Sequence, residues 1–274
     1  MTVADFSSWQ AYTTFAFTVK RKERYFRTPE IEEFLRLVVE SSSTRQKIIP
    51  QGRIFCRAQL GHDWRVVKQN SEEFDDVTAH PPKRMKPLIH AASEGRVNPK
   101  GIPYLYLATD ANTAMSEVRP WIGKYVSVGQ FKTMKDLRII DCSVEHSQDF
   151  TFYFDEPLPP ERERAVWRDI DRSFSEPVTA DDTSADYVPT QVLAEYFKRS
   201  GFDGIVYKSL LGDGFNIALF DLSAAELLSC SLHLVCGISF KFDEVANPYF
   251  VRKHNPDVSQ DVEPCSQEEP RKSA

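Results

Sequence analysis

Apolar residues recur at helical spacing in three stretches of this sequence and alternate or cluster in short runs between them. In the first, Thr28-Pro29-Glu30 supplies an N-cap, a proline at the first helical position and an acidic first turn. Ile31, Phe34, Leu35, Val38 and Val39 then share one helical face, and Ser41-Ser42-Ser43 ends the run. In the second, Asp110 is placed to cap a short helix with Ala114, Met115 and Val118 on one face, stopped before Pro120. The third runs from Pro189 to Arg199, with Val192, Leu193, Tyr196 and Phe197 inward and Gly201 as the terminating glycine.

The remaining runs read as strands. Arg53 to Ala58 mixes apolar and basic positions in near alternation, and Tyr104 to Ala108 is aromatic and aliphatic between Pro103 and Asp110. Val126 to Phe131 and Leu137 to Asp141 come next. Gly204-Ile205-Val206-Tyr207 and Asn216 to Phe220 form a pair around Ser209 to Gly214. Leu232, Leu234, Cys236, Ile238 and Phe240 alternate as a final strand. Gly61 to Glu94 is polar, with His80-Pro81-Pro82 and Lys86-Pro87, and reads as a long loop at the mouth of a site. Phe150 to Glu163 is acidic, proline-bearing and irregular. The expected organisation is an N-terminal helical extension over 1–50, a catalytic domain over 51–250 and a disordered tail over 251–274.

Composition narrows the function classes. The chain has 274 residues, 41% of them hydrophobic, enough for a sizeable core. A net charge of -6 argues against a generalised nucleic-acid surface but leaves room for a local basic pocket. Met1 to Thr18 lacks a basic region followed by an apolar core, and no run approaches the about 18 apolar residues of a membrane span. A cytoplasmic protein without nucleic-acid or membrane partners is expected. Cys56, Cys142, Cys230, Cys236 and Cys265 form no CxxC pair, and the six histidines lack ligand spacing, so buried thiols and no metal site are expected.

Several residues carry chemistry in combination. Arg96 lies in the turn Gly95-Arg96-Val97-Asn98-Pro99-Lys100-Gly101, where a guanidinium can grip a phosphate through two parallel bonds. Arg57 interrupts an apolar strand and needs an anionic partner, either Glu117 or a ligand phosphate. Glu117, on the helix that follows the Tyr106 strand, can hold ribose hydroxyls and stabilise positive charge at an anomeric carbon. Tyr106 can stack on a planar leaving group or pack in the core. Ser209 precedes Gly212-Asp213-Gly214 with no neighbouring histidine, which favours a hydroxyl that binds phosphate or ribose over a nucleophile. The glycines match neither a Walker motif nor GxGxxG.

Taken together, Phe55-Cys56-Arg57-Ala58, Gly95 to Gly101, Tyr104 to Ala108, Thr113-Ala114-Met115-Ser116-Glu117-Val118, Pro189-Thr190-Gln191 and Gly204 through Ser209 to Phe220 resemble the RES-domain family, over roughly residues 50 to 225. That resemblance implies an α+β fold with a mixed, mostly antiparallel β core and flanking helices, similar to ADP-ribosyltransferase toxins. It also implies an NAD-degrading toxin that cleaves the nicotinamide-ribose bond by phosphorolysis or hydrolysis. NAD is then the substrate, inorganic phosphate the co-substrate of phosphorolysis, no cofactor is bound, and the partner is an Xre-type antitoxin protein. Carried over by motif, Arg96, Glu117 and Ser209 become catalytic, and Arg57, Tyr106, Asn98 and Asn216 bind substrate. The alternatives are an ADP-ribosyltransferase acting on a protein and a non-catalytic nucleotide-binding interaction module. Val97 stands where many members have tryptophan, and Leu210 where a second serine is common.

Overall fold

Strand alternation of the kind seen in the sequence builds a sheet here with a hydrophobic cluster on each face. The computed structural model describes residues 4–69, 72–146, 152–176 and 184–242. In chain order the elements are α1 (Ala11–Arg21), α2 (Pro29–Ser41), β1 (Gln46–Ile49), β2 (Ile54–Leu60), β3 (Asp63–Gln69), β4 (Glu72–Thr78), α3 (Pro82–Met85), β5 (Leu105–Ala108), α4 (Ala111–Glu117), β6 (Tyr125–Thr133), β7 (Leu137–Asp141), α5 (Pro159–Ser175), α6 (Val188–Arg199), β8 (Gly204–Lys208), β9 (Phe215–Leu219) and β10 (Ala225–Leu234). Eight strands form one sheet in the order β1-β7-β8-β9-β5-β2-β6-β10. Every neighbouring pair is antiparallel except β7 and β8. The fold is therefore α+β with a largely antiparallel sheet.

Successive side chains leave opposite faces of a strand. Tyr104, Ile140, Ile205, Tyr207, Ala218 and Phe220 accordingly meet the helices, where Phe15, Phe34, Trp167, Phe174, Leu193 and Phe197 are buried. Their chain neighbours Leu105, Ile139, Ile217 and Leu219 join Phe55, Met85 and Phe131 on the other side.

The first fifty residues share this core. Phe15 of α1 stacks on Phe34 of α2 at 4.6 Å, and both belong to the cluster that holds α5 and α6. Trp167 of α5 is fully buried, and its indole Nε1 donates to Ser41 Oγ at 2.9 Å. The Arg45 guanidinium lies 4.4 Å from the indole ring. Among the described residues, those up to Ile238 cluster as one unit, and the few from Ser239 on fall outside it. The expected tail over 251–274 lies outside the described residues, as does Cys265.

The structure corrects three expectations. The polar stretch Gly61 to Glu94 is not a single loop: β3 and β4 pair antiparallel as a separate two-stranded sheet, followed by α3. Its strands are polar because both faces are largely exposed. Ion pairs between directly opposed residues support the ladder, Arg65 with Asp76 at 3.1 Å and Lys68 with Glu73 at 2.5 Å. The stretch read as irregular up to Glu163 already contains the start of α5 at Pro159. Most of its charged residues are at least partly exposed, and Val166, Trp167, Ile170 and Phe174 supply the large apolar side chains of the buried stripe, beside the buried Asp171 that pairs with His146. The last strand is Ala225–Leu234, not Leu232 to Phe240, because its partner β6 begins at Tyr125, opposite Leu234.

One seam divides the sheet. β2 is paired with β6 from Ile54 to Leu60, but it meets β5 through the single pair Cys56 and Ala108. The two halves of the sheet are thus joined there by little backbone bonding.

Replacing Trp167 by alanine removes the side chain that the N-terminal helices and α5 share. It is expected to lower unfolding stability by about 3–5 kcal/mol, read from urea denaturation. A loss below about 1 kcal/mol would show that the N-terminal segment contributes little to the core.

Candidate functional site

The seam between β2 and β5 opens into a cavity of about 210 Å³ lined by Arg57, Tyr106, Glu117 and Asn216, together with Cys56 and apolar residues of β2, β5 and α4. Sequence order explains the convergence. β5 leads through Thr109-Asp110 into α4, whose start Asp110 caps by accepting from the Thr113 amide at 2.8 Å. The helix is so short that Glu117, its last residue, returns over the strand end. Asn216 on β9 stands opposite Ala108 on one side and Tyr207 on the other, so all three share a face.

Glu117 is held by two donors on one oxygen. Ser209 Oγ donates to Oε1 at 2.6 Å and Asn216 Nδ2 donates to the same atom at 2.7 Å. Oε2 has no hydrogen-bond partner among the described residues. The Ser209 hydroxyl also accepts from the Leu211 and Gly212 amides at 3.2 and 3.1 Å. Its proton and its lone pairs are occupied, which is the setting of a positioned hydroxyl and not of an activated nucleophile.

Arg57 projects from β2 across the seam. Its Nη1 donates to the Tyr106 carbonyl at 3.0 Å, whereas Nε is buried without a partner. Burial draws the guanidinium below its ordinary value, and only weak opposition comes from Tyr106. No carboxylate lies within ion-pair distance of it among the described residues, Glu117 included. Of the two partners the sequence left open for Arg57, Glu117 does not pair with it.

Tyr106 contributes its ring to the cavity and its phenol to the neighbouring turn. The hydroxyl donates to Asn98 Oδ1 at 2.7 Å and accepts from the Val97 amide at 3.0 Å. Burial pushes the phenol well above its ordinary value. Asn98 is itself buried, with Nδ2 donating to the carbonyls of Ser93 and Ile102 at 3.0 and 2.8 Å. It acts on the cavity through Tyr106. Gly95 is required by close approach: a Cβ there would lie 2.7 Å from both Asn98 Oδ1 and the Tyr106 hydroxyl oxygen.

Arg96 is placed elsewhere. Its guanidinium donates to the carbonyls of Ser173, at 2.6 Å, and Glu176 at the end of α5, and it sits 5.8 Å from the Tyr187 ring. A cation there caps the negative end of the helix, and Arg96 is not among the residues lining the cavity. The structure thus brings Arg57, Tyr106, Glu117, Ser209 and Asn216 together, with Asn98 behind Tyr106 and Arg96 on the α5 side of the same turn.

With this geometry in place, the sequence matches the family profile described as RES domain over residues 63–243. The chain belongs to the RES-domain family. The matched span holds every candidate residue except Arg57, which lies just before it. No functionally curated protein matches the sequence. One solved structure, described as the crystal structure of the M. tuberculosis MbcT-MbcA toxin-antitoxin complex, is similar over 66% of this chain and 87% of that one, at 15% identity and a TM-score of 0.33.

Two residues of this RES-domain chain received no role from sequence reasoning. Gln191, on the buried face of α6, brings Nε2 to 2.9 Å from the Gly95 carbonyl and 3.2 Å from that of Asn98, pinning the turn behind Tyr106. Thr113 on α4 accepts from the Gly214 amide at 3.0 Å and so joins the serine loop to the glutamate helix. Both lie inside the quoted motifs, but a polar residue on a helix gives no sign of which distant backbone it will meet. Among the described residues, no three histidine, cysteine or acidic side chains are grouped to hold a metal ion.

Tyr106→Phe keeps the ring and deletes the hydroxyl, leaving the Val97 amide and Asn98 Oδ1 without it. Stability is expected to fall by about 1–3 kcal/mol in chemical denaturation. An unchanged midpoint would mean that the phenol does not hold the turn.

Proposed function

We propose that the seam cavity is the active site of an NAD-degrading RES-domain toxin that breaks the nicotinamide-ribose bond. The observation that carries this reading is the half-buried Arg57 guanidinium, its Nε buried without a partner and no carboxylate among the described residues paired with it, sharing a cavity with a carboxylate already fixed in place. A buried cation without a counter-charge is costly unless a ligand supplies one, and the anionic groups of a dinucleotide do so. At about 210 Å³ the cavity is below the usual range of roughly 300–1,000 Å³ for an enclosing ligand pocket, so it takes the reacting end of the dinucleotide and leaves the rest outside.

The placement of the groups supports the following chemistry. As the bond between the ribose anomeric carbon and the nicotinamide nitrogen breaks, its electron pair leaves with nicotinamide and positive charge develops on the ribose. The Glu117 carboxylate, with Oε1 held by Ser209 and Asn216, stabilises that charge without having to reorganise. The Tyr106 ring supplies an apolar wall against which a planar leaving group stacks. Attack by water gives ADP-ribose and a proton, and attack by inorganic phosphate gives the ribosyl phosphate. Depletion of NAD accounts for toxicity, and an antitoxin protein that covers the cavity is the corresponding restraint.

The test is to incubate purified protein with NAD, with and without inorganic phosphate, and to follow nicotinamide. Release is expected, and its dependence on phosphate separates phosphorolysis from hydrolysis; no release in either condition sinks the proposal. Glu117→Gln is expected to lower kcat by roughly 100-fold or more with a smaller change in NAD binding, as for removal of one electrostatic stabiliser. Arg57→Met is expected to raise the Kd for NAD. Near-normal turnover in Glu117→Gln would refute the role given to the carboxylate.

Induced in a naive bacterial host, the wild-type protein is expected to arrest growth and lower cellular NAD while soluble Glu117→Gln does neither. Equal growth and equal NAD for the two forms would contradict a toxin.

A further inference from the structure

Ser209 reaches Glu117 from a tight loop that closes on itself around a lysine outside the cavity. Lys208 and Phe215 are the last paired residues of β8 and β9, and the loop they bracket contains Gly212-Asp213-Gly214. Lys208 Nζ lies under this loop. It donates to the carbonyls of Gly212 at 3.3 Å, Asp213, and Gly214 at 2.9 Å, with the Phe215 ring 5.2 Å away. Three carbonyl oxygens pointed at one place repel each other, and an ammonium with three donors matches that arrangement.

The same turn of the backbone has a consequence on the cavity side. While the carbonyls of residues 212 to 214 face Lys208, the amides of Leu211 and Gly212 face Ser209 Oγ. Those two amides occupy the hydroxyl's acceptor capacity and direct its proton to Glu117 Oε1. The far end of the loop has a separate anchor, since the Gly214 and Phe215 amides donate to Thr113 and Thr109 at 3.0 Å each. Among the described residues, Lys208 is the side chain that reaches the carbonyls of Gly212 and Asp213. It is absent from the cavity lining.

We infer that Lys208 is a positioning residue: its ammonium clasps the loop of residues 209 to 214 so that Ser209 holds Glu117 in its working orientation. The inference rests on the proposed role of Glu117, and it assigns to Lys208 no contact with substrate. The Gly214 carbonyl also accepts from the Ser209 amide at 3.2 Å, but without the clasp the carbonyls of Gly212 and Asp213 spread, the two amides lose their common target, and the Ser209 hydroxyl becomes free to rotate away from Glu117.

Two variants and two readouts test it. Lys208→Met keeps the apolar stem and removes the ammonium, whereas Lys208→Arg keeps a cationic donor. For nicotinamide release, Lys208→Met is expected to lower kcat by roughly 10-fold while KM stays within about 2-fold, with Lys208→Arg recovering most of the loss. Amide hydrogen exchange needs no turnover: in Lys208→Met, exchange at Leu211 and Gly212 is expected to accelerate by roughly 10-fold or more while β6 is unchanged. Unchanged kcat together with unchanged exchange at those amides overturns the inference. So does an equal loss in the arginine variant, or acceleration spread evenly over the fold, which would reveal a general structural role. If wild-type protein releases no nicotinamide, the reading of Glu117 fails, and the exchange measurement alone decides the clasp.

Discussion

Arg57 carries a cation into the seam where β2 and β5 share a single backbone pair, and no carboxylate of the described chain neutralises it. An isolated charge removed from water costs several kcal/mol even after relaxation. Here part of that cost is offset by the Tyr106 carbonyl, which accepts from Nη1 across the gap. No carboxylate among the described residues compensates the rest, and under the proposed function an anionic ligand does so. A sheet zipped fully along this seam would leave no room for that ligand, so the weak pairing and the unpaired cation are two aspects of one constraint.

Glu117 is the natural counter-charge, and the structure keeps it apart. Ser209 and Asn216 hold its Oε1, and each of those donors stands on an anchored neighbour. Asn216 is fixed in the centre of the β8, β9 and β5 ladder, and Ser209 by the amides of its own loop. Opposite charges that line one cavity are not joined in an ordinary salt bridge. Such separation costs stability and is found where function requires it.

Much of this was legible in the sequence because it depends on local rules. The Thr28 cap, the Asp110 cap and the strands over 104–108, 204–207 and 216–220 come from residue type and spacing, and the motif residues identified the family. What was not legible depends on partners far away in the chain. The paired strands β3 and β4 gain little from burial, so their polar composition reads as a loop. Helix α5 hides its stripe of Val166, Trp167, Ile170 and Phe174 among charged residues, most of them at least partly exposed. Arg96 looks from its turn like a phosphate ligand, and only the fold reveals that two of its donors reach carbonyls at the end of α5. The sequence likewise gives no hint that the Asn98 side chain supports Tyr106 from behind.

The central claim is that a ribosyl bond breaks between Arg57 and Glu117. A crystal structure of the Glu117→Gln protein soaked with NAD tests it directly. The account predicts the dinucleotide in the seam, the anomeric carbon about 3–4 Å from the residue 117 side chain, and an anionic group of the ligand on Arg57. A dinucleotide bound elsewhere on the molecule, or one in the seam with its nicotinamide end turned away from residue 117, would contradict it.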